Sequence, residues 1–331
     1  MKPPRPLLLA ALTLALAAAL VMGIASGASG WRWSAVADLF AGDEIVATLR
    51  APRVALAALT GAALALSGLT MQTLLRNDLA DPYVLGLAGG ASVGAVVSLA
   101  LAPNAAPGPA AALGALVAAG LLRLLAPSTL EGPFAAGGGE AGQLLLAGVV
   151  VGSLLSSVTG LVLVLAPAER LLRSATFWLF GGLGTPAPAG LLVPAITLVV
   201  AITLLVPRAE ALDRLLLGND VAAAMGVEVR RFRRLLLVLA VALTSAAVAA
   251  AGLIGFVGLI APHAARRLFG AKHRPLIVAA PLLGACLLVV ADTAARTVFA
   301  PREVPVGLVT AALGGPLFLW LLRRRSPWAL S

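Results

Sequence analysis

Cysteine is almost missing: Cys286 stands alone, so no internal disulfide can form and a disulfide-stapled secreted module is excluded. Lysine is nearly as scarce. Lys2 and Lys272 are the only two, and neither follows the glycine-rich run that a phosphate-cradling Walker loop requires. The two histidines, His263 and His273, have no acidic cluster beside them in sequence to build a zinc site, and His263, following Pro262, reads as structural. Charged residues make up 11% of the chain and aromatics 5%, where a soluble domain carries roughly 25% charged residues. A soluble enzyme and a disordered chain are therefore both excluded. Acids near a span interior reduce to Asp292, so the chain offers no proton relay of its own and no ion-coupling site.

What remains is apolar. Hydrophobic residues form 60% of the 331, and the mean hydropathy is +1.02. A membrane helix needs roughly 20 predominantly apolar residues, and that ruler marks about ten spans. They run near 7–27, 54–74, 84–102, 110–126, 143–165, 189–206, 235–251, 253–268, 275–295 and 304–322. The seventh and eighth are split only by Ala251 and Gly252. An even count puts both termini on one side. With both ends inside, 17 of the 24 basic side chains fall inside and 7 outside, while the 14 acids divide 8 and 6. The bias lies in the basic residues, as the positive-inside rule requires, so the net charge of +10 is an orientation signal and not a nucleic-acid footprint. The first segment, with Lys2 and Arg5 before its apolar run, has an alternative reading as a signal peptide, although the run is long for one.

Backbone groups in hydrocarbon must bond internally, so the spans are helices. Gly61, Ala65 and Gly68, and likewise Gly86, Gly90 and Gly94, have the small-residue spacing of close helix packing. The inner stretch 207–234 contains an alanine-rich run ending at Gly226, which reads as one short helix with a glycine stop. Its Arg230, Arg231, Arg233 and Arg234 leave two readings open, a cytoplasmic partner or anionic lipid headgroups. The inner loop 126–142, rich in glycine and proline, reads as a turn-rich connector. On the outer side, Arg50, Arg53 and Arg296 run against the positive-inside tendency. Their two readings are a compensating role, and snorkelling or local ion pairing with Asp292, Asp43 or Glu44.

Several blocks in order resemble the FecCD-type permeases, the membrane subunits of ABC importers for iron-siderophores, haem and vitamin B12. They include Arg50-Ala-Pro-Arg53, Gly61 to Gly68 with Met71-Gln72, and Arg76-Asn77 to Pro82 with Leu85-Gly86. Leu146-Ala-Gly148, Trp178 to Gly181, Gly218 to Gly226 and Gly255 to His263 follow. Asp292 to Arg296, Pro305-Val-Gly307 and Gly314 to Trp320 complete the match, which runs from about Arg50 to Arg325. The sequence departs from that pattern at Asp78, where the family has proline, at Ala88-Gly89-Gly90, and at Ala141-Gly142-Gln143.

The resemblance implies an all-α polytopic membrane protein of the type II ABC importer architecture. It has about ten transmembrane helices per subunit, both termini cytoplasmic, and residues 1–331 as a single permease domain. It implies that the chain is not itself an enzyme and binds no cofactor or metal, with ATP and Mg expected on a separate ATPase. The implied partners are a second copy of the permease, two ATP-binding subunits, a periplasmic or lipid-anchored substrate-binding protein, and membrane lipid, in a bacterial cytoplasmic (inner) membrane. By the same resemblance, the loop within 207–234 couples to the ATPase through Leu217, Gly218, Asn219, Asp220, Ala222, Ala223, Met225 and Gly226. Arg50, Arg53 and Arg296 are expected to dock the binding protein. Gln72, Asn77, Leu85, Gly86 and Gly90 are candidates for the translocation pathway. The cargo is a metal chelate, an iron-siderophore or haem before cobalamin; a secondary carrier is the other functional class weighed.

Overall fold

In hydrocarbon no water completes the hydrogen bonds of a peptide chain, and this chain answers that demand almost wholly with helices. The computed structural model describes residues 5–27, 30–41, 43–125, 139–166, 169–184 and 188–324. The basic ends at Lys2 and Arg325 and the loop expected over 126–142, up to residue 138, lie outside the described residues.

The helices are α1 (Arg5–Ala25), α2 (Ala35–Phe40), α3 (Ala51–Leu75), α4 (Leu87–Leu101), α5 (Gly108–Leu125), α6 (Gly139–Leu165) and α7 (Glu169–Leu179). They continue as α8 (Leu192–Leu205), α9 (Ala209–Leu216), α10 (Asn219–Ala224), α11 (Val229–Ala251), α12 (Val257–Phe269), α13 (His273–Thr297) and α14 (Val306–Arg324). One short antiparallel pairing, Ser26–Gly27 with Gly30–Trp31, follows α1. Among the described residues, seven helices are long and apolar enough to cross a membrane. The shorter apolar helices α4 and α14, together with α12, complete the ten spans expected, within a few residues at each end.

Helix α3 is the centre. Every residue from Thr60 to Leu75 is buried, as befits a helix that is apolar all round. It packs against α11, α12 and α13. A Cβ at Gly61 would collide with the carbonyl of Gly284, and one at Gly284 with the carbonyl of Gly61, so the α3–α13 contact depends on both glycines. Gly90 and Gly114 make the same exchange between α4 and α5. Ser67 Oγ donates to the Ala240 carbonyl at 2.8 Å and lies 2.8 Å from Thr244 Oγ1, which spends its polarity inside the bundle.

Helix α1 is joined to this core. It packs along α13 with Ala19, Gly23 and Ala25 buried, and its last carbonyls accept hydrogen bonds from Arg50 and Arg296.

Three irregular segments meet within the bundle. Between α11 and α12 the chain runs non-helically through 252–256, with Gly252 and Phe256 both at a φ of 69°. At 1.5 Å per residue α12 is only about 20 Å long, and the non-helical 252–256 segment joins it to the end of α11. The Gly181 carbonyl accepts from Gly307 N at 3.3 Å, and Ile254 N donates to the Tyr83 hydroxyl at 3.3 Å. A Cβ at Gly307 would collide with the carbonyls of Phe180 and Leu253. Irregular backbone inside a membrane protein persists only where protein or a water-lined cavity satisfies it; here a carbonyl and a tyrosine hydroxyl of the same chain do so.

Candidate functional site

The structure concentrates polar chemistry at the two ends of the α3–α13 pair. At the outer end, Asp292 of α13 is 1% exposed. Its Oδ1 accepts from Arg53 Nε and Nη2, both at 3.1 Å. The other arm of Arg53 pairs with Glu303 at 3.0 Å. Arg296, one turn beyond Asp292, brings Nε to 2.9 Å from Asp292 Oδ2, an ion pair without hydrogen-bond alignment. Its terminal nitrogens donate to the carbonyls of Ser26 and Gly23, each at 3.2 Å, and Arg50 Nη1 donates to the Ile24 carbonyl at 3.2 Å. Two arginines and two carboxylates thus balance in one network, buried at Asp292 and Arg296 and open to solvent at Glu303. Carbonyls at the C-terminal end of α1, the negative end of its dipole, complete the coordination.

This placement corrects one expectation. Arg296 is 5% exposed and its guanidinium is committed inside the chain, so it is not a surface cation. Arg53 keeps 11% of its side chain exposed and Arg50 is half-buried. The pairing with Asp292 is the local ion pair that formed the alternative reading.

At the inner end, the short helix expected up to Gly226 is α10, and a second helix that was not expected, α9, precedes it, divided from it by Gly218 at a φ of 115°. A left-handed glycine breaks the helix there because other residues are strained at that angle. Leu212 and Leu215 of α9 are buried and fasten the segment to α3 and α13. Beyond them, Leu217, Val221 and Met225 are 64, 45 and 47% exposed, with Ala222 buried beneath. Gly226, at a φ of 84°, is the glycine stop that the sequence signalled. The residues Leu217 to Gly226 therefore form an apolar tip on a buried footing.

Sequence reasoning missed the footing's polar joint. The backbone N–H of His273, at the start of α13, donates to Asp213 Oδ1 of α9 at 2.9 Å, and its Nδ1 lies 2.7 Å from the same oxygen. Its Nε2 lies 2.8 Å from Thr73 Oγ1 of α3. The order Asp, His, Thr is that of a hydrolase triad, but His273 is fully buried and Thr73 Oγ1 also donates to the Leu69 carbonyl. No substrate reaches it; the arrangement is a three-helix clasp. Gly90 to Gly94 has the spacing of a nucleophile elbow, yet it lies inside α4 with Ser92 Oγ donating to the Ala88 carbonyl, and an elbow needs a strand-to-helix turn.

The pathway candidates are also placed otherwise than expected. Gln72 is buried, donating to the Gly258 carbonyl at 3.3 Å and accepting from Arg266. Leu85, Gly86 and Gly90 are buried against neighbouring helices, so they face helix contacts and not open space. Asn77 caps its own turn by accepting from Leu79 N at 2.9 Å. Nearby, the Asp81 carboxyl is pushed up to about 6 by burial, against the pull of the Tyr83 N–H, and Tyr83 is raised by its own burial and by Asp81. An exposed hydroxyl stripe does exist elsewhere: Ser153, Ser156 and Ser157, with Gly160, lie within one arc of α6. Among the described residues, no group of three or more His, Cys, Asp or Glu is placed to hold a metal.

Comparison with known proteins agrees with this architecture. The model of the FecCD transport family matches residues 14–324. The haemin transport system permease protein HmuU of Yersinia pestis is 41% identical over 280 residues, covering 84% of this chain and 82% of that protein. The cobalamin import system permease protein BtuC of Halobacterium salinarum is 40% identical over 322 residues, covering 97% of this chain and 80% of that protein. A solved metal-chelate type ABC transporter in an inward-facing conformation superposes with a TM-score of 0.84 at 28% identity. That match covers 96% of this chain and 99% of the other.

Proposed function

The chain belongs to the FecCD transport family and is the permease subunit of an ABC importer; from that premise we propose that its cargo is a metal chelate, haem or an iron-siderophore. The observation that carries this is the 41% identity to the haemin permease across most of both chains. Cobalamin is the second reading, supported by 40% identity across nearly the whole of this chain. The proposed location is a cytoplasmic membrane, with the tip at Leu217 to Gly226 inside.

In this proposal two copies of the chain enclose the pathway, and two ATPase subunits grip the exposed tips Leu217, Val221 and Met225. ATP and Mg act on those subunits. A separate binding protein delivers the chelate to the outer face. Arg50 and the exposed edge of Arg53 meet its carboxylates, a contact that steers and orients docking, while buried Arg296 holds the network in place. With Gln72, Leu85, Gly86 and Gly90 enclosed by packing, the hydroxyl stripe of α6 becomes the pathway lining.

The test is reconstitution with a cognate ATPase and binding protein. Haemin, ferric siderophores and cobalamin are titrated against the binding protein, and ATP-driven uptake is then measured for whichever binds. ATP-dependent haem or siderophore uptake is expected. Binding of cobalamin alone would select the second reading, and uptake that survives removal of the ATPase would overturn the importer assignment.

A further inference from the structure

The flank of the inner segment contains a cavity that only the last residue of the tip, Gly226, helps to line. Its volume is about 430 Å³, and it lies where residues 206–208 leave α8 and where α11 begins. Arg208, Arg214 and Arg231 stand around it with one carboxylate, Glu228, and Val227, Phe232 and Leu235 form its apolar wall. None of Leu217, Val221 or Met225 contributes to it.

Its depth is fixed by the helices on either side. Helix α8 is apolar to Leu205, and α11 is continuously apolar only from Leu235. The cavity therefore straddles the boundary between hydrocarbon and water on the basic, inner side. Above it α8 exposes Ile196, Val199 and Val200, a surface that suits acyl chains.

Each guanidinium is held by part of its donor set. Arg208 Nη1 donates to the Leu204 carbonyl at 2.9 Å, Arg214 Nη1 to the Met225 carbonyl at 3.1 Å, and Arg231 Nη1 to Glu228 at 2.9 Å. A guanidinium carries five N–H donors in a planar fork, so donors remain at all three. Glu210 and Glu228 offset Arg214 and Arg231. Among the described residues Arg208 has a carbonyl partner and no carboxylate. The site wants a monoanion with several oxygens, at headgroup depth, attached to something apolar.

We propose that this cavity binds an anionic phospholipid of the inner leaflet, its phosphodiester held by Arg208 and Arg231 with Arg214 behind, its acyl chain passing Leu235 toward α8. The proposal rests on the orientation adopted above. It separates two faces of one segment: the apolar tip takes a protein, and the basic flank takes a lipid. Because Arg214 also holds the Met225 carbonyl, an occupied cavity braces the tip.

The test uses the full chain in nanodiscs of phosphatidylcholine doped with phosphatidylglycerol, with retained lipid counted by native mass spectrometry. Wild type is expected to retain phosphatidylglycerol in preference to phosphatidylcholine. Arg208→Gln with Arg231→Gln should weaken retention about fivefold per arginine, and Arg208→Lys with Arg231→Lys should recover most of it. Unchanged retention in the glutamine variant overturns the proposal. So does displacement of the lipid by inorganic phosphate alone, which marks a free-anion site, or loss of ATPase capture with retention intact, which assigns the cavity to the protein interface. If the glutamine variant misassembles, wild type that retains both lipids equally is decisive against it. Failure of the importer reading shows separately, as uptake independent of ATP at every lipid composition.

Discussion

Asp292 is the residue on which the outer face depends. It touches two arginines from two helices while 1% exposed. Removing one member of a buried ion network costs about 3–5 kcal/mol, because the partners stay buried without compensation. Asp292→Ala should therefore lower the unfolding midpoint in detergent by an amount matching about 3 kcal/mol or more. Glu303→Gln should cost less than about 1 kcal/mol, since Glu303 is 40% exposed. Equal shifts in the two variants would show that burial is not what makes Asp292 matter. The same geometry decides how docking is probed. Arg296→Glu sets a carboxylate against Asp292 and reports on folding, whereas Arg50→Glu, with the unfolding midpoint as its control for the lost Ile24 contact, tests the proposed docking. Little of this was legible in the sequence. The i,i+4 pair Asp292 and Arg296 was visible, but Arg53 lies 239 residues from Asp292, and His273 lies 60 and 200 residues from its two partners. No local pattern announces a contact made by packing.

Helices were legible to the extent that one face or all faces were apolar. All ten spans followed from apolar runs and from the need to bond backbone internally. The hidden elements were those with mixed or interrupted patterns. Helix α7 is amphipathic and begins with charged residues, and it buries only Leu171 and Ala175. The 252–256 segment showed only as a glycine between two apolar runs. In the proposed transporter the pathway lining moves from the buried Gln72 and Gly90 to α6, whose Ser153, Ser156 and Ser157 are exposed in a largely apolar span. Hydroxyls facing lipid would gain nothing there, whereas hydroxyls facing a wet pathway keep their partners. With Cys286 replaced by alanine, Ser153→Cys and Ser157→Cys should react with a hydrophilic thiol reagent in the assembled transporter. Val158→Cys, exposed on another side of the same helix, should react at least about tenfold more slowly, as lipid-facing thiols stay largely undissociated. Equal reactivity at all three positions would remove α6 from the pathway.

Across the whole molecule, α3 and α13 lie side by side and carry chemistry at both ends. Arg53 and Asp292 stand at the outer end, and Thr73 and His273 at the inner end, roughly 30 Å away at the helical rise of these lengths. The clasp of Asp213, His273 and Thr73 ties that pair to α9, and α9 carries the tip. A push delivered at the tip therefore reaches α3 and α13 directly, through one buried joint and two leucines, Leu212 and Leu215. Coupling through such a joint requires that the partner grip the tip by its exposed apolar side chains. Val221→Asp with Met225→Asp places two charges on that surface without touching Ala222, Leu212 or the clasp. Buried apolar anchors are each worth about 1–3 kcal/mol at a protein interface. Capture of the ATPase subunit should therefore fall by at least about tenfold per substitution, with the unfolding midpoint and the binding-protein affinity unchanged. A fall in thermal stability of the isolated permease would mean that the tip packs on its own chain. Intact capture with both aspartates in place would move the ATPase contact away from Leu217 to Gly226 altogether.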